Sequence, residues 1–157
     1  MLDPIVGEVS DFLYHECELL DSGQFKTWLD LFTPDAIYWV PLAQGQTDPD
    51  SDFSLMHEDV LLLRMRIERM QHPAAHGMEP PPRTSRVIGN IRVRDGENGR
   101  LEATARFTLF EAEEDRHRIF AGRYQYLLER RDEFRIRRKR VDLVNSDAPF
   151  ESIQVIF

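Results

Sequence analysis

Between Leu101 and Leu109 the chain alternates without interruption: Ala103, Ala105, Phe107 and Leu109 on one parity, Glu102, Thr104, Arg106 and Thr108 on the other. A period of two places each set on its own side of a pleated strand, so this segment can only settle as a strand with one buried face. The same period brackets it on both sides. Ile91 and Val93 alternate with Arg92 and Arg94, and Phe120, Tyr124, Tyr126 and Leu128 share one parity of a long third strand. Phe134 and Ile136 face inward on a fourth strand, and the inward parity then moves to Val141 and Leu143. One extra residue in the strand produces such a shift, so a β-bulge is expected near the arginine cluster. Asp95-Gly96-Glu97-Asn98-Gly99, the acidic stretch Glu111 to Asp115, and Arg131-Asp132 supply the turns. The second half of the chain therefore reads as a β-meander.

The first third reads as helical. Asp3 and Pro4 stand where an N-cap and first helical residue belong, and Gly23 where the helix stops. Ile5, Val9, Phe12, Leu13 and Leu20 mark one apolar face between them. Phe25, Trp28, Leu29 and Phe32 predict a second short helix, closed by Thr33-Pro34-Asp35 because the residue before a proline disfavours helix. Ala36 to Leu42 is β-branched and aromatic and predicts a strand covered on both faces. Gln44 to Asp52 is a loop, Phe53 to His57 a short strand, and Asp59 caps a third helix. That helix buries Val60, Leu63, Ile67 and Met70, with Arg64 and Glu68 spaced to pair on its outer side. His72 to Pro82, with four prolines, is a connection, and Ile153, Val155 and Phe157 predict a last short strand.

Helices followed by long antiparallel strands define an α+β class, and 157 residues suit a single domain spanning 1–157. The helices are expected to pack into the concave side of a strongly curved antiparallel sheet, with a cone-like cavity between the layers.

Charge and composition exclude several function classes. A net charge of −8 opposes non-specific binding to nucleic acid or to an anionic membrane, and no apolar run approaches a membrane span. The acidic start MLDPIVGEVSDF lacks the character of a signal peptide, and the lone Cys17 forms no intramolecular disulfide, so a cytoplasmic location is expected. Residues 1–60 hold thirteen of the 28 acids but one of the 20 bases, Lys26. Such an uneven distribution suits complementary subunit contacts.

No strong catalytic motif is present: no glycine-rich phosphate loop, no paired cysteines, no zinc-type histidine pair on a helix. His72 and His76 are four apart, but Pro73 between them interrupts any shared helix face; His15, His57 and His117 have no evident partners in sequence. Glu16 breaks its local pattern. It falls near the middle of the apolar face of the first helix, late in that helix, where the macrodipole disfavours a negative charge. One reading makes it a general base in a cavity; the favoured one pairs it with an arginine from a neighbouring strand or across a subunit boundary. Arg135-Ile136-Arg137-Arg138-Lys139-Arg140 reads as strand surface or as a contact with an acidic partner, with Arg137 and Arg138 reaching that partner.

Three segments together resemble the small (beta) subunit of aromatic-ring-hydroxylating dioxygenases, the Rieske non-haem iron oxygenases. The first runs from Phe12-Leu13-Tyr14-His15-Glu16 through Leu19-Leu20-Asp21, Trp28-Leu29 and Pro34-Asp35-Ala36 to Tyr38-Trp39-Val40-Pro41. The second is Pro81-Pro82-Arg83-Thr84-Ser85-Arg86 with Ile88 and Asn90-Ile91, and the third is the ending Ile153, Val155, Phe157. The resemblance implies a nuclear-transport-factor-like (cystatin-like) fold. It also implies a large (alpha) subunit partner, usually in a three-plus-three hetero-hexamer, that carries the Rieske [2Fe-2S] cluster and a mononuclear Fe(II). Electrons from NAD(P)H would reach that partner through a ferredoxin and/or a reductase, for dihydroxylation of an aromatic ring. No catalytic, cofactor-binding or metal-binding residue is then expected in this chain. The alternative within the same fold is a stand-alone isomerase, dehydratase or cyclase, with Glu16 or Asp35 as base and Tyr14 or Tyr38 as hydrogen-bond donor.

Overall fold

The computed structural model describes residues 3–41, 54–72, 82–144 and 155–157. The first helix, α1, spans Pro4–Asp21, capped by the Asp3 carboxylate accepting from the Ile5 amide at 3.0 Å. It stops as expected before Gly23, whose φ of +73° an L side chain would resist. Helix α2 is shorter than its apolar spacing predicts, Phe25–Leu29, and Phe32 belongs instead to strand β1, Phe32–Pro41. Pro34 ends helical geometry early, and the main chain is already extended two residues before it. Strand β2 covers Ser54–Asp59, and helix α3 covers Val60–Gln71 with Asp59 accepting from the Leu62 amide at 2.8 Å. Leu63 and Ile67 are buried on α3, Val60 and Met70 partly so. Arg64 and Glu68 stay exposed, while Arg66 binds Glu58 with both ends of its fork.

Four long strands follow: β3 (Arg83–Asp95), β4 (Leu101–Ala112), β5 (His117–Arg130) and β6 (Phe134–Leu143). The sheet order is β2-β1-β6-β5-β4-β3. The pairings are antiparallel save one, the β1–β6 pair, which is parallel with Ile37 opposite Arg138. That pair corrects the expectation of a purely antiparallel sheet. Local hairpin turns can join only antiparallel neighbours, whereas β1 and β6 come from opposite ends of the chain.

The parity shift in β6 is realised as a bulge, because Leu127 pairs with Arg138 and Leu128 with Ile136, leaving Arg137 as the extra residue. A second bulge in β3 lies between Gly89 and Arg92, where Asn90 takes φ +54°. Gly122 is required where β5 meets β6, since a Cβ there would lie 2.0 Å from the Asp142 carbonyl oxygen. The core joins the inner faces of the strands to Val9, Leu13, Leu20, Trp28, Leu63 and Ile67 of the helices. Val155, Ile156 and Phe157 are buried in it without forming a strand, so the expected last strand is not found there; Ile153 lies outside the described residues.

Candidate functional site

At the centre of the core lies a charged cluster. Its carboxylate is Glu16, held by α1 on the side that faces the sheet and fully buried. Its cation is Lys139 of β6, also fully buried, with Nζ 2.9 Å from Glu16 Oε2. Trp28 Nε1 of α2 donates to the same oxygen at 3.0 Å, and the Tyr126 hydroxyl of β5 donates to Oε1 at 2.5 Å. Lys139 donates also to the Phe157 main-chain oxygen at 2.8 Å and sits 4.3 Å from the centroid of the Tyr124 ring. Tyr38 closes the group, donating to the Phe157 oxygen at 3.3 Å and accepting from the Phe157 amide at 2.9 Å. Glu16, Lys139 and their partners thus tie together two helices, three strands and the segment 155–157.

Burial sets the electrostatics. It pushes the Lys139 ammonium below the usual lysine range, with Glu16 pulling the other way. The Tyr126 and Tyr38 hydroxyls are raised by the same burial, and the Cys17 thiol is pushed up to about 12 by burial and then by neighbouring Glu16. The tyrosines therefore stay protonated as donors, and the thiol stays unreactive.

The pairing expected of Glu16 is present, but its partner is a lysine and not an arginine. The signal was in the alternation: with Val141 and Leu143 inward, Lys139 shares their parity and must point inward too. The basic run is therefore no single patch. Arg137 at the bulge binds Asp35 at 3.0 Å and Glu129 at 2.9 Å, and Arg140 binds Asp142 while lying 4.5 Å over the Trp39 ring. Arg138 alone of the two residues expected to reach a partner stays exposed without such a tie among the described residues.

The structure does not bring the other candidate acid–base groups to Glu16. Asp35 is exposed, its carboxyl held low first by the Thr33 hydroxyl and then by Arg137, and Tyr14 lies on the solvent side of α1. His15, His57, His72 and His117 are exposed, and His76 lies outside the described residues. Among the described residues no group of three or more His, Cys, Asp or Glu is placed to hold a metal ion. Around Glu16 the large side chains of Trp28, Tyr38, Tyr124, Tyr126 and Phe157 are buried.

A second network locks the same interior. Arg86 of β3, its side chain almost wholly buried, binds Asp21 at the end of α1 and the Ile156 main-chain oxygen. Thr84 Oγ1 donates to the same carboxylate at 2.9 Å, and the Arg86 amide donates to it at 2.8 Å. Asp21, Thr84, Arg86 and Ile156 come from parts of the sequence more than sixty residues apart, and they meet at one place. Sequence reading missed this network because the alternation was read only from Ile91, whereas the strand begins at Arg83.

A family model described as "Ring hydroxylating beta subunit" matches residues 15–148. The chain is 34% identical over 137 residues to the small oxygenase component of the p-cumate 2,3-dioxygenase system of Pseudomonas putida, covering 85% of this chain and 76% of that protein. It is 32% identical to the small subunit of anthranilate 1,2-dioxygenase of Acinetobacter baylyi, over 87% of this chain and 88% of that one. In architecture it matches the crystal structure of the benzoate 1,2-dioxygenase beta subunit of Burkholderia mallei, with a TM-score of 0.79, 23% identity and 99% of each chain covered. By its sequence, and in keeping with its α+β architecture, this chain belongs to the beta subunits of the ring-hydroxylating dioxygenases.

Proposed function

We propose that this chain is the structural small subunit of a terminal oxygenase that dihydroxylates an aromatic ring, with O2 and electrons derived from NAD(P)H. The observation that carries the reading is the family match over residues 15–148. The chemistry would belong to the large subunit, as the holder of the Rieske cluster and the mononuclear iron, served by a ferredoxin or a reductase. The small subunit would act as one domain of 157 residues that joins large subunits into a three-plus-three assembly in the cytoplasm. No helix among the described residues is long and apolar enough to cross a membrane.

The Glu16 site supports a structural role. A general base needs a lone pair open to substrate and water excluded only on closure. Here the carboxylate accepts from Trp28, Tyr126 and Lys139 at once, inside a packed interior. The stand-alone enzyme reading would require these three donors to part. Co-expression with the neighbouring large-subunit gene, followed by native mass and iron and acid-labile sulfide analysis, tests the proposal. A hetero-oligomer whose iron resides in the partner is the expected outcome. A metal-free homodimer of this chain, indifferent to the large subunit, overturns it.

A further inference from the structure

The outer face of the sheet carries a feature that folding does not explain. Across β3 to β6, Gly89, Arg106, Arg123 and Asp142 stand side by side in one row. Two residues further along the strands the row is Val87, Thr108, Ala121, and beyond it Ser85, Phe110, Ile119. Val87 is 70% exposed, Ile119 62% and Phe110 39%, so three large apolar side chains lie together in water beside two exposed arginines. Scattered apolar residues need no explanation, but a contiguous patch bordered by charge marks a contact surface.

The arginines sharpen the point. Arg106 and Arg123 are direct cross-strand neighbours, an arrangement of like charges that costs stability. Neither makes an ion pair among the described residues. Asp142 stands opposite Arg123, but its carboxylate is taken by Arg140 at 2.9 Å and Gln125 at 3.0 Å. Several other arginines of the strands are answered, Arg94 by Glu102, Arg118 by Glu111 and Arg137 by Glu129, but none of these stands directly opposite a second arginine. In a chain with 28 acids against 20 bases, an unanswered pair does not reflect a shortage of carboxylates.

We infer that this patch is a docking site for the large subunit, and that the segment seated there presents carboxylate side chains to Arg106 and Arg123. Apolar side chains of the same segment cover Val87, Phe110 and Ile119. The inference rests on the small-subunit reading above. A second copy of this chain fits the patch less well. Face to face, two copies would gather four arginines, and each copy carries a net charge of −8.

The test uses the full chain co-purified with its large subunit. Arg106→Glu combined with Arg123→Glu should weaken the hetero-complex by about thirtyfold or more, while Arg106→Lys with Arg123→Lys retains most of the affinity. Ile119→Asp, which leaves both arginines in place, should weaken it independently. Circular dichroism and thermal melting of each isolated variant confirm the fold. Complex formation unchanged in folded variants overturns the inference while leaving the small-subunit reading intact. Loss of self-association with the hetero-complex retained also overturns it, by giving the face to a second copy. Failure of the wild-type chain to bind the large subunit at all overturns both.

Discussion

Replacing Lys139 by Met removes the cation from the buried cluster and leaves its carboxylate behind. The methionine fills similar volume, so the loss is electrostatic and not a cavity. Glu16 would keep the bonds from Trp28 and Tyr126 but lose its counter-charge in a fully buried site. Breaking a buried ion pair from one side costs about 3–5 kcal/mol. In a protein of this size each kcal/mol lowers Tm by about 2–4 °C, so Lys139→Met should melt about 6–20 °C below wild type. Glu16→Gln should be destabilised to a similar degree, since it strands the ammonium instead. The double variant Glu16→Gln with Lys139→Met should recover much of the loss, because neither charge then remains. Urea unfolding of the four proteins closes a double-mutant cycle with a coupling of about 2–4 kcal/mol. A Lys139→Met protein as stable as wild type, or a cycle with no coupling, would refute the claim that this pair holds the core together.

Further outcomes follow from other parts of the fold. Gly122→Ala should cost about 2 kcal/mol or more in urea unfolding, because its Cβ meets the Asp142 carbonyl and must push β5 from β6. Arg86→Leu should destabilise by about 3 kcal/mol and loosen residues 155–157, seen as faster amide exchange at Ile156 and Phe157. Cys17 keeps its proton in the native state up to about 12 but releases it near 9.0 once unfolded. Above pH 9 the unfolded chain therefore binds fewer protons, and stability falls with rising pH by up to about 1.4 kcal/mol per unit from this group. Cys17→Ala should lose that portion of the slope between pH 9 and 10, and native Cys17 should resist thiol alkylation at pH 8.

What the sequence discloses follows from how local each cause is. Caps at Asp3 and Asp59, the stop at Gly23 and the alternation of β4 act within a few residues and were readable. The bulge in β6 was readable too, since a parity shift has one simple cause. Phe32 was misplaced because an apolar residue at i+7 fits helix and strand alike, and only the adjoining chain decides. The parallel β1–β6 pair and the burial of Val155 to Phe157 depend on contacts between distant segments, which spacing does not encode. Glu16 betrayed itself as a charge on an apolar face, yet its partner stayed hidden in a basic run that looked uniform. Asp21, Thr84 and Arg86 looked ordinary in sequence, because each is a common residue in a common setting until the chain brings them together.

The parallel pairing of β1 with β6 also sets an order of events. β3 to β6 are joined by successive hairpins, and such local pairings close quickly. β1 has no such neighbour to its left or right until β6 exists, roughly a hundred residues later, apart from the short β2. On the ribosome, β1 is therefore made early and flanked on its second side late, and Glu16 and Trp28 wait for Lys139 even where α1 has already met β3 through Asp21 and Arg86. The slow step in maturation of this subunit is then the docking of an early segment onto a late one, and mutations at the Glu16 cluster should slow folding as well as weaken the folded state.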